Sequence, residues 1–173
     1  MKFSHEVSIP LSKNLINLPD WLFELTEQDY ARCARGHRAL GIIGGARRLG
    51  MVNVESIGGT LIIQHYSTQL AEKHHVTMVS KASRAYLMHL FPVNIGVVWN
   101  MRVTGDGPDR SRFQCAIELD FPPVVKVLGY FIGAPLFARQ HLVEETGGFS
   151  RDILKKCGGS RLESYIGRSA SAT

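Results

Sequence analysis

Two segments of this sequence carry side chains able to bind a metal ion or exchange protons. One is His141-Leu142-Val143-Glu144-Glu145. On a helix, a separation of four puts His141 and Glu145 on one side, close enough to share an ion or a proton. Stepping back by threes and fours reaches Ala138, Ala134, Phe131 and Val127, an otherwise apolar stripe. Burying two ionisable groups in such a stripe is costly unless a metal, a counter-charge or a substrate meets them. The alternative is a solvated His/Glu pair, with Leu142, Phe149 and Ile153 as the buried stripe.

The other segment holds Tyr30 and His37, seven residues apart and so on one side of a helix. A strand can add a third ligand. Within Leu61 to Tyr66, alternation groups Leu61, Ile63 and His65 on one face and Ile62, Gln64 and Tyr66 on the other. If the first face lines the interior, His65 joins the site; Glu55, on the preceding strand, is the carboxylate alternative. His74-His75 and His89 read as solvated loop or strand-edge residues.

Three protein ligands with an open position suit a divalent ion, zinc before others, which lowers the pKa of bound water to about 7. Such an ion held by His37, His141, Glu145 and His65 would polarise a ketone or phenol oxygen, with Glu144 or water serving proton transfer. Without an ion, His141 and Glu145 form an acid–base pair for cyclisation, isomerisation or elimination, and Tyr30 is a further catalytic candidate. Either Trp99 and Met101 or Asn100 and Arg102 face the interior; Trp99, Met101, Tyr66 and Phe131 are the expected substrate contacts. Cys115 alternates with Phe113, Ile117 and Leu119 as a buried apolar residue. Gly41, Gly44, Gly45 and Gly50 lack the G-x-G-x-x-G spacing of a nucleotide loop, so no organic cofactor is expected.

These side chains need elements to position them. Glu6 to Leu11 reads as an edge strand limited by Pro10. Thr26 is a helix N-cap with acidic residues in the first turn, and the helix is expected to run, broken at Gly41 and Gly44-Gly45, to near Gly50. From Val52 to Phe121 the period is two, with turns at Gly58-Gly59 and Gly105 to Pro108, which predicts an antiparallel meander. Separate strands are expected at His75–Ser80, Ala85–His89, Gly96–Val103 and Arg112–Leu119. After Pro122-Pro123 a helical period leads to Cys157, with Pro135 kinking or dividing it. The expected fold class is α+β, a curved sheet wrapped around a long terminal helix with a cavity between. Residues 1–158 are expected to form one domain and 159–173 a frayed tail.

That order of elements resembles the helix-grip fold of the Bet v 1/START-like (SRPBCC) superfamily, whose members bind lipids, hormones and polyketides or act as cyclases, lyases and hydrolases. Trp21-Leu22-Phe23-Glu24-Leu25-Thr26, followed by Tyr30 and Gly36-His37, resembles the opening of the diacetylphloroglucinol and phloretin hydrolases. His141-Leu142-Val143-Glu144-Glu145 ahead of Gly148-Phe149 resembles their His-x-x-x-Glu helix. In that family the His and Glu ligate zinc together with a histidine and a glutamate from earlier in the chain. The resemblance implies His141 and Glu145 as ligands with His37 as a third. The strand glutamate has no clean match: Gln64 or His65 lies near its expected place, and Glu55 lies earlier.

The composition narrows the partners. The chain has 173 residues, 45% of them hydrophobic and 20% charged, enough for one domain with a sizeable core. Three cysteines without paired spacing exclude a disulfide scaffold and a zinc finger. The longest apolar runs, such as Val93 to Trp99, fall far short of the roughly 18–20 residues that span a bilayer. The start is polar, so a cytosolic address is expected. Twenty Lys+Arg against 15 Asp+Glu give a net charge of +5. The excess gathers in Arg32 to Arg48 and in the tail, without a continuous run or an RNA-binding aromatic motif. No nucleic-acid partner is expected, and a homodimer is left open. The expected function is metal-assisted hydrolysis or lyase chemistry on a small aromatic or polyketide-like molecule. A metal-free cyclase or isomerase, or a carrier of a hydrophobic ligand, is the alternative.

Overall fold

The computed structural model describes residues 1–44, 50–131 and 133–159. The strands are β1 (Lys2–Ile9), β2 (His37–Ile43), β3 (Gly50–Ile57), β4 (Thr60–Glu72), β5 (His75–Leu87), β6 (Phe91–Gly105) and β7 (Ser111–Asp120). They pair antiparallel in one sheet, in the order β1-β7-β6-β5-β4-β3-β2. A 3-10 turn at Lys13–Leu15 and helices α1 (Leu18–Phe23) and α2 (Glu27–Cys33) follow β1; α3 (Pro123–Phe131) and α4 (Ala134–Cys157) follow β7. The expected antiparallel meander and α+β class are borne out.

Bulges give the sheet its curvature. Register shifts fall in β4 between Ile63 and Ser67 and in β5 between Ser80 and Ser83, where Ser83 Oγ donates to Ser80 Oγ at 2.8 Å. α4 packs on β1 and β7 near one edge and on β3 near the other, so the sheet curls around it. Beneath α4, Trp21, Tyr30, Trp99, Phe113 and Phe149 form the aromatic centre of the core. Among the described residues no helix is long and apolar enough to cross a membrane.

Four sequence expectations need correction. The helix begun at Thr26 stops at Cys33 rather than near Gly50. Its start is as expected: Thr26 Oγ1 accepts from the Asp29 backbone N–H, and the Thr26 backbone N–H donates back to the Asp29 carboxylate. Residues 37–43 form an edge strand, which an apolar triplet interrupted by Gly41 did not signal. The runs His75–Ser80 and Ala85–Leu87 belong to one strand, since the bulge, not a turn, separates them, and Met88 and His89 fall in the turn that follows. β6 starts at Phe91, five residues before the expected Gly96, and tolerates Pro92 because β7 begins to pair only at Gly96. The terminal helix is divided, as one of the two outcomes expected at Pro135: Gly133 sits at φ 77° and Pro135 occupies the first turn of α4. Residues 45–49, with Arg47 and Arg48, and the tail from 160 on lie outside the described residues.

α4 reaches the core at one close crossing. A Cβ on Gly148 would stand 2.0 Å from the Cys33 carbonyl oxygen, whereas one on Gly147 would meet only Arg151 Nη1 at 3.5 Å. The crossing is locked by charge: Lys156 Nζ bonds Asp29 Oδ2 at 2.8 Å and Asp152 Oδ2 at 3.2 Å, and Trp21 Nε1 donates to Asp152 at 2.8 Å. Gly148→Ala is expected to cost about 1–3 kcal/mol or more, because backbone must move. Gly147→Ala is expected to be neutral or slightly stabilising. Thermal denaturation of the two variants side by side checks this; equal melting temperatures would refute the close crossing.

Candidate metal centre and cavity

Four elements converge on one buried cluster. His37 opens β2 directly after the Arg35-Gly36 turn, and a bulge between His37 and Ala39 turns its ring inward. Glu55 lies opposite His37 on β3. His141 and Glu145 project from one side of α4, both buried, as are His37 and Glu55. One ligand atom from each of the four lies within 4.8 Å of the others. Imidazoles and carboxylates alternate: His37 Nε2 faces Glu145 Oε1 at 3.5 Å, and His141 Nε2 faces Glu55 Oε2 at 3.7 Å. Both separations are too long for hydrogen bonds. The Nε2 atoms of His37 and His141 are therefore buried without a hydrogen-bond partner.

Tyr30 holds this cluster from behind. Its ring stacks on His37 with centroids 3.7 Å apart and planes 4° from parallel. Its hydroxyl donates to Glu55 Oε1 at 2.5 Å, and its carbonyl oxygen lies 2.7 Å from His37 Nδ1. A carbonyl can only accept, so Nδ1 carries a proton, and Nε2 is the ring nitrogen turned to the cluster. Burial works to lower the His37 pKa, but the facing Glu145 carboxylate and then Glu55 leave it above its ordinary value. Burial first, and the Glu55 and Glu145 charges second, push Tyr30 far up, so it stays a neutral donor. Gly36 makes room on the other side, since a Cβ there would stand 2.8 Å from His141 Nδ1.

Two histidines and two carboxylates with two unpaired imidazole nitrogens suit a borderline divalent ion. The Tyr30 carbonyl on His37 Nδ1 and the Tyr30 hydroxyl on Glu55 are the outer contacts that orient metal ligands elsewhere. The residues present fit such an ion.

Glu55, His141 and Glu145 form the polar end of a cavity that extends between sheet and α4. Its walls are apolar, with Ile62, Tyr66, Trp99 and Ile117 on the sheet and Leu128 and Phe137 over the opening. Tyr66 is kept neutral by burial and by the two carboxylates. Gln64 also lines the cavity, and its Oε1 has no partner.

No protein-family model matches the sequence, and no curated protein matches it. Solved structures do. A START superfamily protein from Mycobacterium smegmatis superposes with a TM-score of 0.56 over 88% of this chain and 98% of its own, at 15% identity. Norcoclaurine synthase from Thalictrum flavum gives 0.56 over 90% and 87%, at 14% identity. The Zhui aromatase/cyclase from a Streptomyces strain gives 0.50 over 90% and 94%, at 9% identity. This chain has the helix-grip fold. At such identities the likeness concerns the path of the chain alone.

Within this helix-grip chain the expected site residues divide. His37, His141 and Glu145 come together, although His37 stands on a strand rather than on the helix of Tyr30. His65 does not join them: Ile62, Gln64 and Tyr66 are the buried face of β4, and His65 is exposed. Glu55, the alternative carboxylate, takes that place. Glu144 points away from the cavity and is held by the Arg35 side chain at 2.9 Å. Tyr30 touches the cluster without lining the cavity, which makes it a positioning residue. Trp99 and Tyr66 line the cavity, whereas Met101 is sealed in the core beyond it. Phe131 is 85% exposed and Val127 is also exposed, because the divided helix ends their stripe. The sequence had set two stripes on α4 against each other, yet both are buried: His141 and Glu145 face the cavity while Leu142, Phe149 and Ile153 face the core.

Proposed function

We propose that this chain is a metal-dependent hydrolase or lyase acting on a ketone or phenol group of an aromatic or polyketide-like molecule held in the cavity. The observation that carries the reading is the pair of buried, unpaired Nε2 atoms of His37 and His141 facing Glu55 and Glu145. His37, Glu55, His141 and Glu145 would hold the ion. The set matches in type what the resemblance to the phloroglucinol-type hydrolases implies: a histidine and a glutamate early in the chain, and His-x-x-x-Glu on the terminal helix. A divalent ion there supplies a Lewis acid that polarises a carbonyl oxygen and acidifies water.

The chain's own groups do the rest. The apolar walls strip water from an aromatic ring, and Trp99 and Tyr66 give it flat surfaces to pack on. Tyr66, neutral, offers an O–H, and the unpaired Gln64 Oε1 accepts from a substrate hydroxyl, so a polyhydroxylated ring is held by its edge. His141 and Glu145, at the boundary of cluster and cavity, are within reach of protons moving on and off the substrate. No organic cofactor is needed for this chemistry.

Metal analysis of tag-free protein, followed by turnover of an acylated polyphenol panel with and without a strong chelator, tests the reading. Near-stoichiometric zinc or a similar divalent ion, with chelator-sensitive turnover, is the expected result. Metal-free protein whose activity survives the chelator would refute it in favour of a His/Glu acid–base site. Ligand binding without any turnover would refute it in favour of a carrier.

A further inference from the structure

Ten of the fourteen large apolar side chains left exposed among the described residues gather at one end of the molecule. Met88, Leu90 and Phe91 stand at the β5–β6 turn, with Leu90 72% exposed. Val124, Val127, Tyr130 and Phe131 stand on α3, and Leu136 begins α4. Both groups border the cavity, since Leu87 beside that turn and Val125 and Leu128 of α3 line it and Leu128 is exposed. α3 has no buried residue. It is apolar on its cavity side, through Val125, Leu128 and Gly129, and apolar again on its outer side. A soluble chain that hides its apolar surface does not build such a helix without a second apolar phase to meet it.

The charge around this collar has one sign almost throughout. From Ser56 to Ala71, from Lys73 to Gly105 and from Phe121 to Val143 the sequence contains no Asp or Glu. Arg84, Lys126 and Arg139 are exposed on those stretches, and Asp120, at the foot of α3, is the acidic exception. We infer that the cavity mouth docks on an anionic lipid surface, with the α3 and β5–β6 side chains in the acyl boundary and the cations against the headgroups. Apolar burial and attraction to anionic lipid act together in such interfacial sites. A second copy of the chain is a poorer occupant, because a two-fold contact would set one predominantly basic collar against another. Docking at the mouth would let an apolar substrate pass from bilayer to cavity without crossing water. The inference rests on the collar and not on the metal centre, so either can fail without the other.

Flotation with vesicles of phosphatidylcholine, alone or mixed with phosphatidylglycerol, tests it on the full chain. Wild type is expected to float with the mixed vesicles, less so at high salt, and far less with phosphatidylcholine alone. Leu90→Asp/Phe131→Asp should weaken binding by roughly tenfold or more, and Lys126→Gln by about fivefold. Leu15→Asp, at an exposed apolar position on the 3-10 turn outside the collar, should bind as wild type does. Circular dichroism on every variant checks that the fold is kept. Wild type that stays in the buffer with both vesicle types overturns the inference, as does a folded double variant that floats unchanged. A dimer in sedimentation that Leu90→Asp/Phe131→Asp disperses, without vesicle binding, would give the face to a second copy instead.

Discussion

His141→Ala is expected to lower turnover by roughly three orders of magnitude or more while leaving the protein folded. His141 is the one cluster histidine that also lines the cavity, so its removal takes away a ligand and a group beside the substrate together. It also leaves Glu55 Oε2 without the imidazole that faces it at 3.7 Å. The core does not depend on it, because Leu142, Phe149 and Ile153 occupy the opposite stripe of α4. Metal content, turnover and melting temperature should therefore separate: the first two collapse and the third moves little. Glu145→Gln keeps the side-chain volume and one ligand oxygen but loses the charge facing His37. Its defect should be partly restored by added metal, which His141→Ala should not show. A His141→Ala protein that keeps both metal and rate would overturn the assignment of the cluster.

How far the sequence reveals this site depends on what kind of signal each part leaves. The α4 pair is legible because a helix fixes which residues share a side, and four positions suffice to see it. The sheet is legible as a meander for the same reason, alternation plus glycine turns. Which face of a strand looks inward is another matter. Leu61, Ile63 and His65 alternate as cleanly as Ile62, Gln64 and Tyr66, and only the curl of the sheet around α4 chooses the second set. That choice brings Glu55, and not His65, to the cluster. The placement of His37 fails differently: seven residues after Tyr30 looks helical, but the chain leaves α2 at Cys33 and returns along β2. Tyr30 and His37 still meet, ring on ring, through a turn that no period encodes. Phe131 was misplaced because a stripe counted through Pro135 assumes one helix, and Gly133 in the left-handed region makes it two.

Glu55→Gln is expected to cost metal affinity and turnover about as much as Glu145→Gln, although Glu55 lies on a strand far from the helix in sequence. Its two oxygens are divided between neighbours: Oε2 faces His141, and Oε1 accepts from the Tyr30 hydroxyl. Tyr30 is entirely buried, and burial together with Glu55 and Glu145 keeps it protonated, so the bond has a fixed donor and a fixed acceptor. An orienting contact of this kind is worth roughly 10–100-fold in metal affinity. Tyr30→Phe should therefore weaken binding by about that factor while preserving the stack on His37 and the carbonyl that holds Nδ1. The double variant decides what Tyr30 is for. If its hydroxyl acts through Glu55, adding Tyr30→Phe to Glu55→Gln should lower metal affinity by clearly less than it does alone, giving a coupling of the size seen for contacting residues. If Tyr30 merely fills the core, the two effects should add, and metal affinity in Tyr30→Phe should track its loss of stability. Titration of the four proteins with zinc, alongside their denaturation midpoints, separates these outcomes, and strict additivity would remove Tyr30 from the metal centre.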